Sequence, residues 1–187
     1  MIQTSKLKVV LDTNVIYPIV IRDILFWFAH YELYSPKWSN DIFDEWRNVM
    51  ERKGISKIDA TTRVHKANLA FPDALVHNYQ EIVRGLNLPD PKDCHVLAAA
   101  IKINAAIIVT NNLKDFPEHY LKTFGIKVKS ADEFLTDIID LNREEALMAF
   151  REMVTYKKKP ELSEFQVIEL LRKGGLNNTA DYLHTLL

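Results

Sequence analysis

A short aliphatic run that ends in an aspartate constrains the fold of this chain more than any other feature. Val9, Val10 and Leu11 are consecutive aliphatic residues, and Asp12 follows them directly. Uninterrupted runs of this kind are typical of strands that are buried on both faces of a parallel sheet. In open α/β sheets, ligands bind beyond the carboxyl ends of the strands, where we expect Asp12. Asp12 is therefore either a site residue or the cap of the next helix, and this run alone leaves both open.

A second run of the same type occurs near the middle of the chain. Residues 105–109 (AAIIV) are all apolar, and the polar residues Thr110, Asn111 and Asn112 follow them. The carboxyl ends of parallel strands meet at one edge of a sheet, so we expect these side chains to lie close to Asp12. The helical segments between the strands predict an α/β fold with a central parallel sheet.

Two predicted helices add carboxylates that face the core. In the helix at about 39–52, Glu45 lies three residues after Ile42 and four before Val49, at the edge of the apolar stripe. The bland alternative is an ion pair of Glu45 with an arginine. We expect another helix to begin with Asp90 as its N-cap and Pro91 as its first residue. Asp93 lies in the first turn of this helix, on its buried face. Its alternative is a capping box with Asp90.

Two further polar residues near these carboxylates have to be assigned. His95 points away from the face that carries Asp93, and we expect it at the surface or rim rather than as a ligand. Asp115 precedes Phe116 and Pro117, where a short helix is predicted to begin. Asp115 is therefore either the cap of that helix or a site acid.

Clustered carboxylates require a cation. They repel each other and raise one another's pKa unless a positive charge lies between them. Oxygen ligands of this type suit Mg²⁺ or Mn²⁺ rather than zinc, and the sequence contains no Cys/His cluster. We therefore predict a magnesium or manganese site at the carboxyl edge of the sheet.

Composition bounds the class of protein. With 187 residues, 48% of them hydrophobic, the chain can form one α/β domain and an appendage. Lys and Arg total 24 against 25 Asp and Glu, so the overall charge gives no support for nucleic-acid binding, although a local basic patch is compatible with it. No apolar run approaches ~20 residues and the first residues lack a signal-peptide core, so we expect neither a membrane span nor a leader. The single Cys94 fits a cytoplasmic location.

The remaining patterns are helical. We expect Pro36 to break the chain before the helix that carries Glu45. Beyond residue 141 we predict helices and no further strands, with Ser163 and Gln166 forming a capping box. We divide the chain into a domain of residues 1–140 and a C-terminal helical extension of residues 141–187. The apolar stripes predicted in this extension are Leu147, Phe150 and Val154, then Phe165, Ile168 and Leu171, then Leu176, Ala180, Leu183 and Leu187.

Taken together, these segments resemble the successive motifs of PIN-domain ribonucleases, and most closely those of VapC-type toxins from prokaryotic toxin–antitoxin pairs. The motifs are residues 11–15 (LDTNV), the inward Glu45, residues 90–100 (DPKDCHVLAAA) and residues 109–116 (VTNNLKDF). The resemblance covers about residues 6–140. It implies a three-layer α/β/α PIN-like fold and Mg²⁺- or Mn²⁺-dependent cleavage of RNA that leaves a 5′-phosphate. It also implies a cognate antitoxin and, frequently, a homodimer.

Transferred position by position, the resemblance assigns Asp12, Glu45 and Asp93 to the first three acidic places. Many members of the family carry an acid two residues after the threonine, where this chain has Asn112. Either the nearby Asp115 takes this place or Asn112 contributes a neutral oxygen. Because fewer negative charges weaken the binding of a second ion, one-ion and two-ion chemistry both stay open. In this interpretation Asp12, Glu45, Asp93 and Asp115 are the catalytic and metal-binding residues. The residues predicted to hold these carboxylates in place are Thr13, Asn14, Thr110, Asn111 and Asn112.

Two other interpretations compete with this one. A haloacid-dehalogenase-like phosphatase also has an aspartate after its first strand, but it requires a second one two residues later, where this chain has Asn14. The other alternative is a PIN-like binding module without activity, in which the helical extension makes the important contacts. Retention of three inward acids argues against such a module.

Overall fold

A five-stranded sheet forms the centre of the molecule. The computed structural model describes residues 6–187, so the first residues, where we expect no leader, lie outside it. All strand pairs are parallel, and the strand order is β3-β2-β1-β4-β5. The strands are β1 (Lys8–Leu11), β2 (Ser35–Ser39), β3 (Leu75–Val76), β4 (Ile107–Val109) and β5 (Lys127–Lys129). The predicted three-layer α/β/α fold with a central parallel sheet is confirmed.

Helices connect the strands and cover both faces of the sheet. In the first half of the chain they are α1 (Thr13–Ile16), α2 (Ile19–His30), α3 (Asn40–Arg52), α4 (Lys57–Ala70) and α5 (Gln80–Val83). In the second half they are α6 (Cys94–Lys102), α7 (Glu118–Leu121), α8 (Ala131–Leu141), α9 (Arg143–Thr155), α10 (Glu164–Lys173) and α11 (Asn177–Leu186). Right-handed crossovers place the helices that follow β1 and β2 on one face and those that follow β3 and β4 on the other.

The direction of the chain through the sheet reverses beside β1. From β1 the chain moves outward through β2 to β3, and it then crosses back to β4 on the other side of β1. The carboxyl ends of β1 and β4 therefore flank a topological switch point, where open α/β sheets form a crevice. The backbone N–H of Asp12 donates to the carbonyl of Val109 over 3.1 Å, which holds the two strand ends together.

The aliphatic run of β1 forms the centre of the core. Val9, Val10 and Leu11 are each 0% exposed, because β1 has neighbours on both edges and helices over both faces. Burying three aliphatic side chains stabilises the fold by roughly 1.5–3 kcal/mol each. This burial fixes where Asp12 leaves the sheet.

Pro36 does not break the chain as we predicted, because it lies within β2, opposite Val9 of β1. The N–H of Ser35 donates toward β1 and that of Trp38 toward the β3 side, so the nitrogen of Pro36 also faces the β3 side. Pairing with β3 begins only at Trp38. Proline is tolerated at this point because no ladder hydrogen bond is required of it.

The C-terminal helices pack against the rest of the molecule. Helix α9 lies against α2 and α8, and α11 lies against α8 and α10. The capping box of Ser163 and Gln166 is present, as predicted. Phe165, which we placed in an inward stripe, is 57% exposed instead, and Val167 is buried beside Ile168. The buried face of α10 therefore consists of Val167, Ile168 and Leu171 and does not include Phe165.

No helix among residues 6–187 is long and apolar enough to cross a membrane.

The division of the chain near residue 140 stays a prediction. Helix α8 ends at Leu141 and α9 begins at Arg143, so a boundary there would fall between two helices that pack on each other.

Candidate active site

Asp12 is the buried centre of a hydrogen-bond network at the carboxyl edge of the sheet. It is 4% exposed. Its Oδ1 accepts from the backbone N–H of Thr13 (2.6 Å), and its Oδ2 accepts from the side chains of Asn14 (2.5 Å) and Thr110 (2.8 Å). Burial raises the pKa of Asp12, and the hydrogen bonds of Thr110 and Thr13 oppose that rise. Asp12 is also the N-cap of α1, and its second oxygen is bound by other groups, so capping does not exclude the predicted role as a site residue.

Glu45 reaches the same edge from α3. The hydroxyl of Thr13 lies 2.7 Å from Oε2 of Glu45, and Nε2 of His95 lies 2.9 Å from its Oε1. Burial tends to raise the pKa of Glu45, but the hydrogen bonds of His95 and Thr13 outweigh burial and leave the pKa below its usual value. Because Glu45 lies at the edge of the apolar stripe, as predicted, its side chain can contact Thr13.

His95 is the residue that the sequence argument missed. We expected it at the rim, yet its side chain is 12% exposed and pairs with Glu45. Burial lowers the pKa of His95, and the hydrogen bond and charge of Glu45 more than reverse that effect. Its Nδ1 is buried and has no hydrogen-bond partner among residues 6–187. His95 follows Asp93 by two residues and lies on another face of the helix, and the predicted rim position is wrong because that face contacts Glu45 of α3.

Asp93 faces the network from the turn that leads into α6. Asp90 accepts from the N–H of Lys92 and caps a short 3₁₀ turn, whereas the side chain of Asp93 makes no capping bond. The capping-box alternative for Asp93 is therefore wrong. Burial and then the negative charges of Asp12, Asp90 and Asp115 raise the pKa of Asp93 to about 6. A carboxyl group with this pKa lies among other carboxylates without a neutralising partner.

Asn112 and Asp115 occupy the fourth side of the network. Nδ2 of Asn112 donates to Oδ2 of Asp115 over 2.6 Å and lies 3.5 Å from Oδ2 of Asp93. Asp115 ends a 3₁₀ turn, and α7 begins only after Pro117, so the capping alternative for Asp115 is wrong. The amide of Asn112 thus separates two carboxylates where an acid would add a third negative charge.

The remaining predicted residues link the strand ends. Nδ2 of Asn14 donates to Oγ1 of Thr110 (2.8 Å), and Oδ1 of Asn14 accepts from the N–H of Asn111 (2.8 Å). The N–H of Asn112 donates to Oγ1 of Thr110 (3.0 Å), and Oδ1 of Asn111 accepts from the N–H of Ala131 in α8 (3.1 Å). The fold therefore brings all nine sequence-predicted residues to one place.

The donor chemistry of this cluster fits a hard divalent cation. Carboxylate and amide oxygens are the ligands that Mg²⁺ and Mn²⁺ prefer. Burial and then repulsion from neighbouring carboxylates raise the pKa of Asp93, and such a cation would relieve the repulsion. Within residues 6–187, however, no three Asp, Glu, His or Cys side chains are grouped closely enough to hold an ion as they stand. Side chains of the cluster would have to turn when an ion binds.

Comparison with known families agrees with this arrangement. A model described as the PIN domain matches residues 8–114, which is more than half of the chain. The chain belongs to the PIN domain family. Asp12, Glu45 and Asp93 lie within the matched part, and Asp115 follows it directly. A second model, described as the VapC50 C-terminal domain, matches residues 131–185 of this PIN-domain protein. The resemblance to VapC-type proteins is therefore confirmed.

One curated relative also carries the name VapC50. The protein “Putative ribonuclease VapC50” of Mycobacterium tuberculosis (strain ATCC 25618 / H37Rv) is 36% identical over 98 residues. The aligned part is 52% of this chain and 57% of the relative, so the chain covers little more than half of that protein. No solved structure matches this PIN-domain chain significantly.

Proposed function

We propose that this PIN-domain protein is a Mg²⁺- or Mn²⁺-dependent endoribonuclease and the toxin of a type II toxin–antitoxin system. The observation that carries the proposal is the convergence of Asp12, Glu45 and Asp93 at the switch point of a PIN fold. The name of the curated relative, a ribonuclease, supports RNA as the substrate.

Asp12 and Asp93 would hold the ion, with Asp115 or the amide oxygen of Asn112 completing its ligands. A bound divalent cation would lower the pKa of water and neutralise charge on the phosphate. Asp12 is suited to this role because Thr13, Asn14 and Thr110 fix the orientation of both its oxygens. Asp93 is suited because its repulsion from neighbouring carboxylates disappears when a cation binds.

Glu45 would orient the attacking water. Its lowered pKa keeps the carboxylate ionised, and contacts with Thr13 and His95 hold it in one position. Attack on phosphorus forms the new P–O bond as the bond to the 3′ oxygen breaks, which leaves a 5′-phosphate and a 3′-hydroxyl. The proton of the water passes toward Oε1 or Oε2 of Glu45, and the leaving 3′ oxygen takes a proton from solvent. Catalysis would then be mainly positioning and electrostatic stabilisation.

The partners and location remain part of the proposal. An antitoxin protein is expected because the chain is a PIN-domain protein whose last helices match the model of the VapC50 C-terminal domain. A homodimer and a cytoplasmic location are expected on the same resemblance. Residues 1–140 would form the nuclease domain and residues 141–187 its helical extension.

The test is cleavage of a defined RNA by the purified protein with Mn²⁺ and with EDTA. We expect cleavage only with the metal and products that carry a 5′-phosphate. Glu45→Gln should lower the rate by about 10²-fold, in the range of a lost acid–base group. Glu51→Gln is the matched control, since Glu51 is exposed on the same helix α3 and should change nothing.

Two results would contradict the proposal. Hydrolysis of an aryl phosphate without cleavage of RNA would favour a phosphatase. Absence of Mn²⁺ binding in a calorimetric titration, together with absence of cleavage, would favour the binding module without activity.

A further inference from the structure

A cavity of about 210 Å³ lies between α2, α3 and α4, outside the acidic cluster. Its charged lining residues are Arg22, Arg63 and Lys66, and the rest of the lining is apolar. The apolar part consists of Phe26, Ala67, Ala70 and Trp46, whose Nε1 atom is buried. No lining residue carries a carboxylate. A cavity that offers donors and positive charge without acceptors is suited to an anion.

Arg22 is the most buried cation of this cavity. Its side chain is 13% exposed, and its guanidinium lies 5.4 Å from the centroid of the Trp46 ring. Nη1 donates to the carbonyl of Ile16, whereas the nearest carboxylate oxygen, on Asp23, is 3.9 Å from Nη2. Asp23 is instead bound by Lys157 over 2.9 Å. The charge of Arg22 is therefore incompletely neutralised by its surroundings.

The other two cations of the cavity form no ion pair in the part of the chain that the structure describes. Arg63 and Lys66 are exposed and make no ion pair among the described residues. Burial lowers the pKa of Arg22 and the charge of Arg63 adds to that effect, although Asp23 opposes it.

Two connections along the chain lead from the cavity to the acidic cluster. Ile16, which accepts from Arg22, is the last residue of α1, and Asp12 caps the start of that helix. Trp46 directly follows Glu45 in α3. The cavity and the acidic cluster thus share α3, and the hydrogen bond of Arg22 to Ile16 links the cavity to α1. The protein carries a net charge of −1, so a polyanion needs such a local cluster to bind at all.

We propose that Arg22, Arg63 and Lys66 form a binding site for RNA backbone phosphates that leads toward the cleavage site. The proposal rests on the proposed ribonuclease function and adds the path of the substrate. Consecutive phosphates each bring one charge, which suits several adjacent cations. A single carboxylate of an acidic protein would neutralise only one of these cations.

The test measures RNA binding without cleavage. The Asp93→Asn variant in EDTA binds a fluorescein-labelled single-stranded RNA of about 12 nucleotides, and the affinity is measured at several salt concentrations. Adding Arg63→Gln and Lys66→Gln should weaken binding about tenfold near 0.1 M salt and lower the slope of log K against log salt by about 1.4, or ~0.7 per lost phosphate contact. The loss should be similar for RNAs of different sequence.

Lys102→Gln is the matched control, since Lys102 is an exposed cation at the end of α6 farthest from Asp93. Arg22→Gln should act like the double change if its melting temperature stays close to that of the parent. Because Arg63 and Lys66 are exposed, the double variant tests the proposal even if Arg22→Gln fails to fold.

Equal affinity and equal slope for the double variant and the Lys102→Gln control would overturn the proposal. Loss of binding to poly-L-glutamate with unchanged binding to RNA would also overturn it, in favour of an acidic protein as the occupant. The proposed nuclease function fails separately, if the wild-type protein with Mn²⁺ does not cleave an RNA that it binds.

Discussion

At the scale of single residues, Asp12 and Asp93 respond differently to the same crowding of negative charge. Asp12 accepts three hydrogen bonds, which oppose the effect of its burial. Asp93 has one weak contact, the amide of Asn112 at 3.5 Å, and its pKa rises to about 6. Ionisation of Asp93 therefore destabilises the metal-free fold.

We predict that Asp93→Asn loses metal-dependent cleavage by at least ~10²-fold and stabilises the metal-free protein. The pKa of Asp93 is raised from 3.8 to about 6 in the folded state, so the wild-type protein loses stability as the pH rises from about 4 to about 6. The gain in the variant should therefore be present at pH 7.5 and nearly absent at pH 4. Solvent screening of this half-buried group limits it to about 1 kcal/mol, or roughly 2–4 °C.

The measurement is thermal melting in EDTA at both pH values, together with melting after addition of Mn²⁺. The metal should raise the melting temperature of the wild-type protein more than that of the variant. Full activity in Asp93→Asn, or a lower melting temperature at pH 7.5, would contradict the assignment.

Asn112 and Asp115 give a second prediction at this scale. Asn112→Asp would replace a donated hydrogen bond to Asp115 with carboxylate repulsion, so the metal-free protein should be less stable and Mn²⁺ should bind more tightly. Asp115→Asn should weaken Mn²⁺ binding about tenfold or more and slow RNA cleavage. Calorimetric titration of both variants beside Asp59→Asn, an acid in the first turn of α4, provides the comparison. If Asp115→Asn binds Mn²⁺ like the control, Asp115 is not a ligand.

The site could be predicted from the sequence as far as each residue's position depends on its own element. Asp12 and Thr110 follow buried strands, and Glu45 lies at a countable helical position, so local periodicity was sufficient. The contact of His95 with Glu45 depends on how α6 is placed relative to α3, which no local pattern contains. The same applies to Pro36, whose tolerance depends on how far β3 extends along β2.

At the scale of elements, α8 connects the sheet with the last helices. Its first residue, Ala131, donates to Asn111 of the candidate site. Its Asp132 accepts from the N–H groups of Asn178 (3.0 Å) and Thr179 (2.8 Å), at the start of α11. The side chain of Asp132 thus caps a helix that is distant in sequence, and its charge is favourable at that helix N-terminus.

We predict that Asp132→Ala destabilises the protein by about 1–2 kcal/mol, or roughly 2–8 °C in melting temperature, and leaves RNA cleavage nearly unchanged. Asp132→Asn should lose less, since asparagine still accepts hydrogen bonds. Asp137→Ala is the control on the same helix, because Asp137 is exposed and pairs only with Lys129 among the described residues. Equal melting temperatures for the Asp132 and Asp137 variants would show that this contact does not stabilise α11.

At the scale of the whole molecule, α2 lies between the sheet and the C-terminal helices. On one side it follows Asp12 and α1, and on the other it packs against α9. Tyr31, just beyond α2, donates to Glu152, and Asp23 is bound by Lys157. Residues 142–187 contribute no side chain to the hydrogen-bond network of the candidate site among the described residues. We therefore expect the extension to support the fold rather than the chemistry.

We predict that truncation after Leu141 leaves the acidic cluster intact but makes the protein aggregate. It would expose the surfaces of α2 and α8 that α9 and α11 cover, and it would leave Asp23 and Asp132 without their partners Lys157 and Thr179. The truncated protein should melt at least ~10 °C lower, and its soluble fraction should still cleave RNA with Mn²⁺. Phe165→Ser in the full-length chain is the control, since Phe165 is an exposed residue of the removed segment and should leave solubility unchanged. A truncated protein as soluble and as stable as the full chain would show that the extension does not support the fold. A soluble, folded truncated protein without cleavage would instead place residues 142–187 in the chemistry.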